Sequence, residues 1–282
     1  MRNLVALTSP EMESLVRIFR ASLMKKTATW SVEVRDACNG GVEKVLEEKP
    51  HACCFTPDLM DSAYEAADEL DPASRLCQGS DLLVRTGEKK LGLTLLGRSS
   101  VEAIENTFLP IYGASVMVCA TNRFALDIAY ECSRAGVTEI SLLDASPKKA
   151  REYLEIFVST FNKMKASTFD IEASREGHVS FARAYEDTSF SFGSYEAAEK
   201  RIASSDIIIC AEPAHRLPQG LLTAFERFGA GKIFVDPLER SFSTPFRDPS
   251  VFSEDVLSGE DVFAQWGSGV ADVLVDLSQG RY

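Results

Sequence analysis

Apolar runs of strand length alternate with amphipathic patterns of helix length along most of this chain. Such an alternation is typical of an α/β fold, in which helices cover a sheet of largely parallel strands. Continuously apolar runs at 207–210 and 233–235 favour parallel strands that are buried on both faces. We therefore predict strands at 2–7, 29–34, 51–55, 114–120, 139–144, 205–213 and 231–237, and a hairpin at 80–95 that turns at Thr86-Gly87-Glu88-Lys89.

Helical patterns fill the intervals between these strands. One predicted helix begins at Ser9-Pro10. The others lie at 40–48, 61–70, 99–110, 122–134, 147–160 and 253–277. The stretch 168–194 is polar and weakly periodic, and it receives no assignment. The order of elements predicts an α/β domain at 1–100, a second α/β domain with a parallel sheet at 101–240, and a closing C-terminal helical segment at 241–282.

The composition removes several classes of function. Hydrophobic residues make up 45% and charged residues 26% of the 282 positions, as in a globular protein with a sizeable core. The net charge of −12 argues against direct nucleic-acid binding, because phosphate backbones select basic surfaces. No apolar run reaches the roughly 18 residues of a membrane span, and the N-terminus has no signal-peptide pattern. We expect a cytoplasmic protein that does not contact membranes.

Metal chemistry is not expected either. The seven cysteines are scattered and form no C-x-x-C pair, so we interpret them as buried reduced thiols. His51, His178 and His215 are far apart in the sequence and belong to no metal-binding motif.

The stretch "VMVCATNRFALDIAY" at 116–130 has the outline of a nucleotide-binding strand-turn-helix but contains no glycine. One interpretation is a plain connection that Thr121 or Asn122 caps. The other is an altered anion or dinucleotide site, with Thr121, Asn122 and Arg123 at the helix N-terminus and Asp144 after the next strand. In dinucleotide-binding domains an acidic residue at the end of the second strand, here Asp144, binds a ribose hydroxyl. A bound dinucleotide would therefore be NAD rather than NADP. The two interpretations differ in whether a cofactor binds at this turn at all.

Four stretches together resemble the shikimate dehydrogenase family. They are "DELDPASRLCQGSDLLVRTGEKKLGLTLLGRSSVEAIE", "AGVTEISLLDASPKKARE", "SSDIIICAEPAHRLP" and "IFVDPLERSFSTPF". The resemblance implies that the first domain is of the substrate-binding type and that the second is a Rossmann-like domain of the nucleotide-binding type. It also implies that the C-terminal helical segment packs back on the first domain. It also implies hydride transfer between NADP and shikimate in the cleft between them.

The residues that carry the family's chemistry are not retained. The lysine of V-T-x-P-x-K falls on Met60, or on Leu59 in the other register, and the aspartate of N-T-D-G falls on Leu96. The lost acid/base pair would cost roughly 10²–10⁴ in rate. We therefore expect no catalytic residue among the family's positions.

Several substrate-binding positions keep a polar residue. Ser9 matches the second serine of S-x-S-P, although it is also a plausible helix cap, and Thr56 matches the threonine of V-T-x-P-x-K. Asp81 replaces the asparagine of A-V-N-T, and Gln265 corresponds to the glutamine of G-x-x-M-L-x-x-Q. These four are the predicted substrate-binding residues.

The leading hypothesis is a shikimate dehydrogenase-like protein without shikimate dehydrogenase activity that senses a ligand or regulates a process. The C-terminal part of the fungal quinate-pathway repressor is similar to this family, and it is a precedent for a relative with a regulatory role. The alternatives are an NAD(P)-dependent oxidoreductase with an altered substrate, using Asp58, Asp61 or Asp81 as acid, and a purely structural module. The expected partners are a small-molecule ligand and, for assembly, a second copy or a larger complex.

Overall fold

A computed structural model describes residues 2–37, 41–108, 110–172, 188–240, 244, 246 and 256–279. They form two six-stranded sheets, one after the other along the chain, with helices on both faces of each. The mixed α/β class and the Rossmann-like second domain are confirmed. No described helix is both long and apolar enough to cross a membrane.

The first sheet is mixed. Its strands are β1 (Arg2–Thr8), β2 (Trp30–Asp36), β3 (Ala52–Phe55), β4 (Glu69–Leu70), β5 (Leu82–Thr86) and β6 (Lys89–Leu93), in the order β2-β1-β3-β5-β6-β4. Strands β2, β1 and β3 are parallel, whereas β5 pairs with β3 and β6 in antiparallel fashion. The β5-β6 hairpin is confirmed, and Gly87 takes the positive φ of +64° that its turn requires.

Helices of the first domain cover both faces of this sheet. They are α1 (Glu13–Met24), α2 (Gly41–Glu47), α3 (Met60–Ala66), α4 (Pro72–Cys77) and α5 (Leu96–Thr107). Phe19 of α1 belongs to the large core that continues into the second domain, whereas Val45 of α2 and Ala63 of α3 belong to a smaller cluster on the opposite face. Helix α5 leads the chain towards the second domain.

The second sheet is parallel throughout. Its strands are β7 (Ser115–Cys119), β8 (Glu139–Asp144), β9 (Ser189–Ser194), β10 (Ile207–Cys210), β11 (Ile233–Asp236) and β12 (Val256–Ser258). Its helices are α6 (Arg123–Arg134), α7 (Pro147–Glu172), α8 (Ala198–Ser204) and α9 (Gln219–Phe228). The order β9-β8-β7-β10-β11-β12 is doubly wound, and its direction reverses between β7 and β10. Ligands of such sheets bind in the crevice outside the strand ends at that point.

The C-terminal helix α10 (Gly259–Ser278) returns to the first domain and packs against α1 and α5. Ser258 and Asp261 form a capping box at its start. Trp266 packs against Phe19 of α1, with ring centroids 4.2 Å apart and ring planes tilted by 38°. The predicted return of the C-terminus is therefore confirmed, and α10 leads the chain from β12 of the second sheet back to the first domain.

Several details differ from the sequence-based prediction. Residues 69–70, predicted to be helical, form β4 beside β6. Helices α4, α8 and α9 lie in stretches for which no helix was predicted. Residues 189–194, which received no assignment, form β9 because they lie in register with β8. Residues 256–258, predicted to be helical, form β12 beside β11. Helix α7 continues to Glu172, beyond its predicted end. Residues 173–187 of the unassigned stretch lie outside the described residues.

Candidate functional site

The turn after β7 keeps a glycine-like backbone without a glycine. Ala120 has a φ of +88°, a conformation that L-residues rarely adopt. Its N–H donates to the carbonyl of Leu143 at 2.8 Å, and its side chain is buried. The fold therefore imposes the bend that the family builds with glycine, and the Ala120 methyl group occupies space at the bend.

Thr121 and Asp144 satisfy each other across the ends of β7 and β8. The Thr121 N–H donates to Asp144 Oδ2 at 3.0 Å, and the Ser146 N–H donates to Asp144 Oδ1 at 2.9 Å. Lys149 Nζ lies 3.4 Å from the same carboxylate. Thr121 is fully buried, and its hydroxyl finds no hydrogen-bond partner in the described part of the chain. The acidic residue expected to bind a ribose is thus engaged by the protein itself.

Asn122 is the N-cap of α6. Its side-chain oxygen accepts the Ala125 N–H at 2.8 Å, and its amide donates to the Ala211 carbonyl at 2.8 Å. The side chain therefore closes the helix end and ties the turn after β7 to the loop after β10.

Arg123 crosses from the second domain to the first. Its Nε lies 2.7 Å from Asp61 Oδ1 of α3, and its Nη1 donates to Gln78 Oε1 at 3.0 Å. The guanidinium also lies over the Tyr153 ring, 5.1 Å from the centroid. A methyl group on Gly79 would come within 2.8 Å of Arg123 Cβ, so the two domains touch here. Arg123 is used as a bridge between the domains.

This arrangement does not fit a dinucleotide bound in the Rossmann mode. That mode needs free N–H groups at the helix start and a backbone that the pyrophosphate can approach closely. Here Asp144 takes the Thr121 N–H, the side chains of Ala120 and Thr121 occupy the bend, and Gly79 packs on Arg123. The loop after β10 adds Glu212, whose carboxylate accepts the Tyr195 hydroxyl at 2.9 Å.

The two residues that the sequence resemblance aligns with the family's acid/base pair are apolar and sealed. Met60, at the start of α3, and Leu96, at the start of α5, have no exposed surface and belong to the same hydrophobic core. Neither side chain can carry a proton. Two of the acids proposed for the altered oxidoreductase are not placed to replace this pair. Asp61 is bound to Arg123, and Asp58 is exposed to solvent.

Asp81 is buried and fully engaged. Its Oδ2 accepts the N–H groups of Leu95 and Leu96 at 2.8 and 2.6 Å, and its Oδ1 accepts Trp266 Nε1 at 3.2 Å. Burial raises the pKa of this carboxyl to about 7, although the three donors act in the opposite direction. Asp81 holds the start of α5 against α10 and presents no surface to a ligand.

Trp266 was missed, and the motif contained the signal that would have found it. Counting G-x-x-M-L-x-x-Q from Gly259 places the glutamine position on Trp266. The indole, buried beside Asp81, lies where α10 faces the first domain. Gln265 instead donates to Glu102 of α5 at 2.7 Å, in a groove of about 240 Å³ between α5 and α10.

Ser9 and Thr56 lie at the carboxyl ends of β1 and β3. Thr56 is fully buried and its hydroxyl has no partner among the described residues. Ser9 precedes a 3-10 turn without making a capping bond. It lines a cavity of about 590 Å³ beside α1 and β2, together with Thr8, Pro10, Glu13, Arg17, Arg20, Val34 and Asp36. Of the four predicted substrate-binding residues, Ser9 is the one placed at a sizeable cavity.

Asp127 of α6 is a second residue that the sequence did not reveal. It is 1% exposed, and its Oδ2 accepts the Gly97 N–H of α5 at 2.7 Å. Its Oδ1 has no hydrogen-bond partner in the described structure, although the Thr94 hydroxyl lies near enough to lower the pKa of the carboxyl. Burial, then the charges of Asp81 and Glu131, raise the pKa of Asp127 well above its usual range.

Within the described residues, no three histidine, cysteine, aspartate or glutamate side chains are placed to hold a metal ion.

Comparisons with known proteins find likeness in structure alone. No family model and no curated protein matches the sequence. The shikimate dehydrogenase of Mycobacterium tuberculosis is 14% identical, with a TM-score of 0.73 over 96% of this chain and 93% of that one. The Thermus thermophilus shikimate 5-dehydrogenase, solved with NADP(H) and shikimate, is 17% identical, with a TM-score of 0.68 over 97% and 93%. The Listeria monocytogenes enzyme, solved with shikimate and NAD, is 16% identical, with a TM-score of 0.68 over 96% and 90%.

These structures extend over nearly the whole of both chains, so the likeness covers both domains and α10. The resemblance noted in the sequence is therefore confirmed for the architecture. The chain has the two-domain fold of the shikimate dehydrogenases.

Proposed function

We propose that this protein is a non-catalytic relative of the shikimate dehydrogenases that senses a small molecule and regulates a process through it. The observation that carries the proposal is which side chains occupy the cleft between the two domains. Met60 and Leu96, which the sequence resemblance aligns with the family's lysine and aspartate, are sealed in the core, and Arg123 bridges the two domains. Restoring catalysis here would need both an acid/base pair and an open nucleotide turn.

The cavity beside Ser9 supports a sensing role. Its volume of about 590 Å³ lies within the range of roughly 300–1,000 Å³ that is usual for small-molecule sites. Arg17 and Arg20 line it together with the hydroxyl groups of Thr8 and Ser9. Arg17 pairs with Glu13, whereas Arg20 has no ion pair among the described residues. Guanidinium and hydroxyl donors of this kind bind a carboxylate well, so we propose a small carboxylic acid as the ligand.

A thermal-shift panel tests the proposal. The ligands are shikimate, quinate, dehydroshikimate, NAD and NADP, measured on the wild type, on Arg20→Ala and on Lys25→Ala, an exposed control at the end of the same helix. We expect at least one of the three acids to raise the melting temperature. At about 100 times its Kd a ligand adds about 2.7 kcal/mol. Arg20→Ala should lose this response and Lys25→Ala should keep it.

Two outcomes would contradict the proposal. Stabilisation by NAD or NADP would favour the altered oxidoreductase instead. A flat response to all five compounds would favour a structural module with no ligand.

A further inference from the structure

Strand β9 is an outer edge of the second sheet. It pairs with β8 on one side, and no described strand pairs with its other side. Its sequence, Ser-Phe-Ser-Phe-Gly-Ser at 189–194, has six residues without a charge or a proline. A strand edge exposes N–H and C=O groups that can pair with another strand, and proteins usually protect long edges with charges, bulges or very short strands.

The other sheet edges are protected in these ways. Strand β2 carries Glu33, Arg35 and Asp36. Strand β4 has two residues and β12 has three. Among the four edges that the structure describes, β9 is therefore the one that combines length with an uncharged sequence.

An apolar groove runs beside this edge, between β9 and α7. It has a volume of about 720 Å³ and is lined by Arg151, Leu154, Glu155, Val158, Ser159, Asn162, Lys163 and Phe192. Phe192 is 43% exposed, whereas Phe190, on the same face of the strand, packs 5.5 Å from Phe157 of α7. The groove thus has a phenylalanine at its border and apolar side chains within it.

We propose that β9 pairs in antiparallel fashion with β9 of a second copy of this chain, so that Phe192 of each copy enters the groove of the other. A two-fold axis at Ser191 places Phe192 opposite the partner's Phe190, on the face that α7 covers. Facing aromatic pairs of this kind stabilise neighbouring strands. The contact is isologous, because the same edge serves both copies, and it closes as a dimer.

Charge favours a second copy as the occupant. The rim of the groove carries Arg151, Glu155 and Lys163, so it is locally close to neutral in a chain of net charge −12. Arg151 and Glu155 lie side by side, with Nε and Oε1 2.7 Å apart, so each of these rim charges is already paired within its own chain. Two copies can therefore approach through this surface with little of the repulsion that the rest of the surface would produce.

Sedimentation velocity of the full chain, from low to high micromolar concentration, tests the proposal. The wild type should sediment with the mass of two chains. Phe192→Lys should shift it to the mass of one chain, with an unchanged circular dichroism spectrum that shows an intact fold. Tyr112→Lys, at an aromatic residue that is 81% exposed elsewhere on the domain, should stay dimeric.

Hydrogen exchange supplies a second readout. The outward-facing amides of 189–194 should exchange slowly in the wild type and at least tenfold faster in Phe192→Lys. A wild type that stays monomeric at high micromolar concentration would overturn the proposal. A Phe192→Lys variant that stays dimeric would do the same. So would a wild-type chain that is monomeric alone and binds a different protein through β9.

Discussion

Replacing Gly267 with alanine is expected to destabilise the protein by about 2–4 kcal/mol, a large effect for one methyl group. Gly267 lies where α10 crosses α1. A Cβ there would be 2.3 Å from the backbone oxygen of Phe19 and 3.1 Å from its carbonyl carbon. Backbone atoms of a packed helix cannot move aside as a flexible side chain can. The variant must therefore push α10 away from α1 and disturb the packing of Trp266 against Phe19.

Gly269 provides a matched control on the same helix. A Cβ there would meet only Ser99 Oγ, at 3.9 Å, within the described surroundings. Alanine inside a helix is more favourable than glycine by roughly 0.5–1 kcal/mol. Urea unfolding should therefore show Gly269→Ala slightly more stable than the wild type and Gly267→Ala much less stable. Equal effects of the two variants would contradict the tight crossing of α10 and α1.

Replacing Asp127 with asparagine is expected to stabilise the protein at neutral pH, by at least about 1 kcal/mol. The asparagine oxygen can keep the bond from the Gly97 N–H, and its amide can donate to the Thr94 hydroxyl. The buried carboxyl, in contrast, has no cation among the causes that set its pKa. Because its folded-state pKa is raised above the unfolded value of about 3.9, the folded state binds the proton more tightly. The free energy of unfolding therefore falls as the pH rises above about 4.

Urea unfolding at several pH values measures this effect. The stability gain of Asp127→Asn should be small near pH 4–5 and should increase towards pH 7–8, since the variant does not titrate there. The exposed control Asp58→Asn should stay within about 0.5 kcal/mol of the wild type at each pH. A loss of stability in Asp127→Asn at pH 7–8 would show that the carboxylate is held by favourable contacts.

The alternation of apolar runs was enough to predict the α/β class. The buried strand β10 was predictable because Ile207, Ile208 and Ile209 need a sheet that is covered on both faces. Strand β9 was missed although Ser-Phe-Ser-Phe alternates with the period of a strand, because it ends a long polar stretch without clear periodicity; its pairing with β8 settles the assignment. Local patterns carry no information on such a long-range pairing.

The candidate site was predictable in part. Asn122 as a helix cap follows from its position before an amphipathic run, and the apolar residues at 60 and 96 are visible in the sequence. The bridge from Arg123 to Asp61 joins residues from different domains, so no local pattern marks it. An aspartate in an amphipathic helix is expected to face solvent. Asp127 of α6 is buried because α5 crosses the helix there, and Gly97 of α5 leaves room for its carboxylate. A Cβ on Gly97 would lie 2.5 Å from Asp127 Cγ.

We expect the family's reaction to be absent, because its acid/base pair and its open nucleotide turn are both missing. A turnover assay tests this most directly. The purified protein is mixed with shikimate and either NADP or NAD, nicotinamide reduction is followed, and the Thermus thermophilus enzyme serves as the positive control in the same buffer. Loss of an acid/base group costs roughly 10²–10⁴ in rate, so the assay must detect rates about 10⁴-fold below a typical kcat of about 10 s⁻¹. We predict no reduction above the protein-free background with either nucleotide. Turnover that rises in proportion to protein concentration would contradict the account.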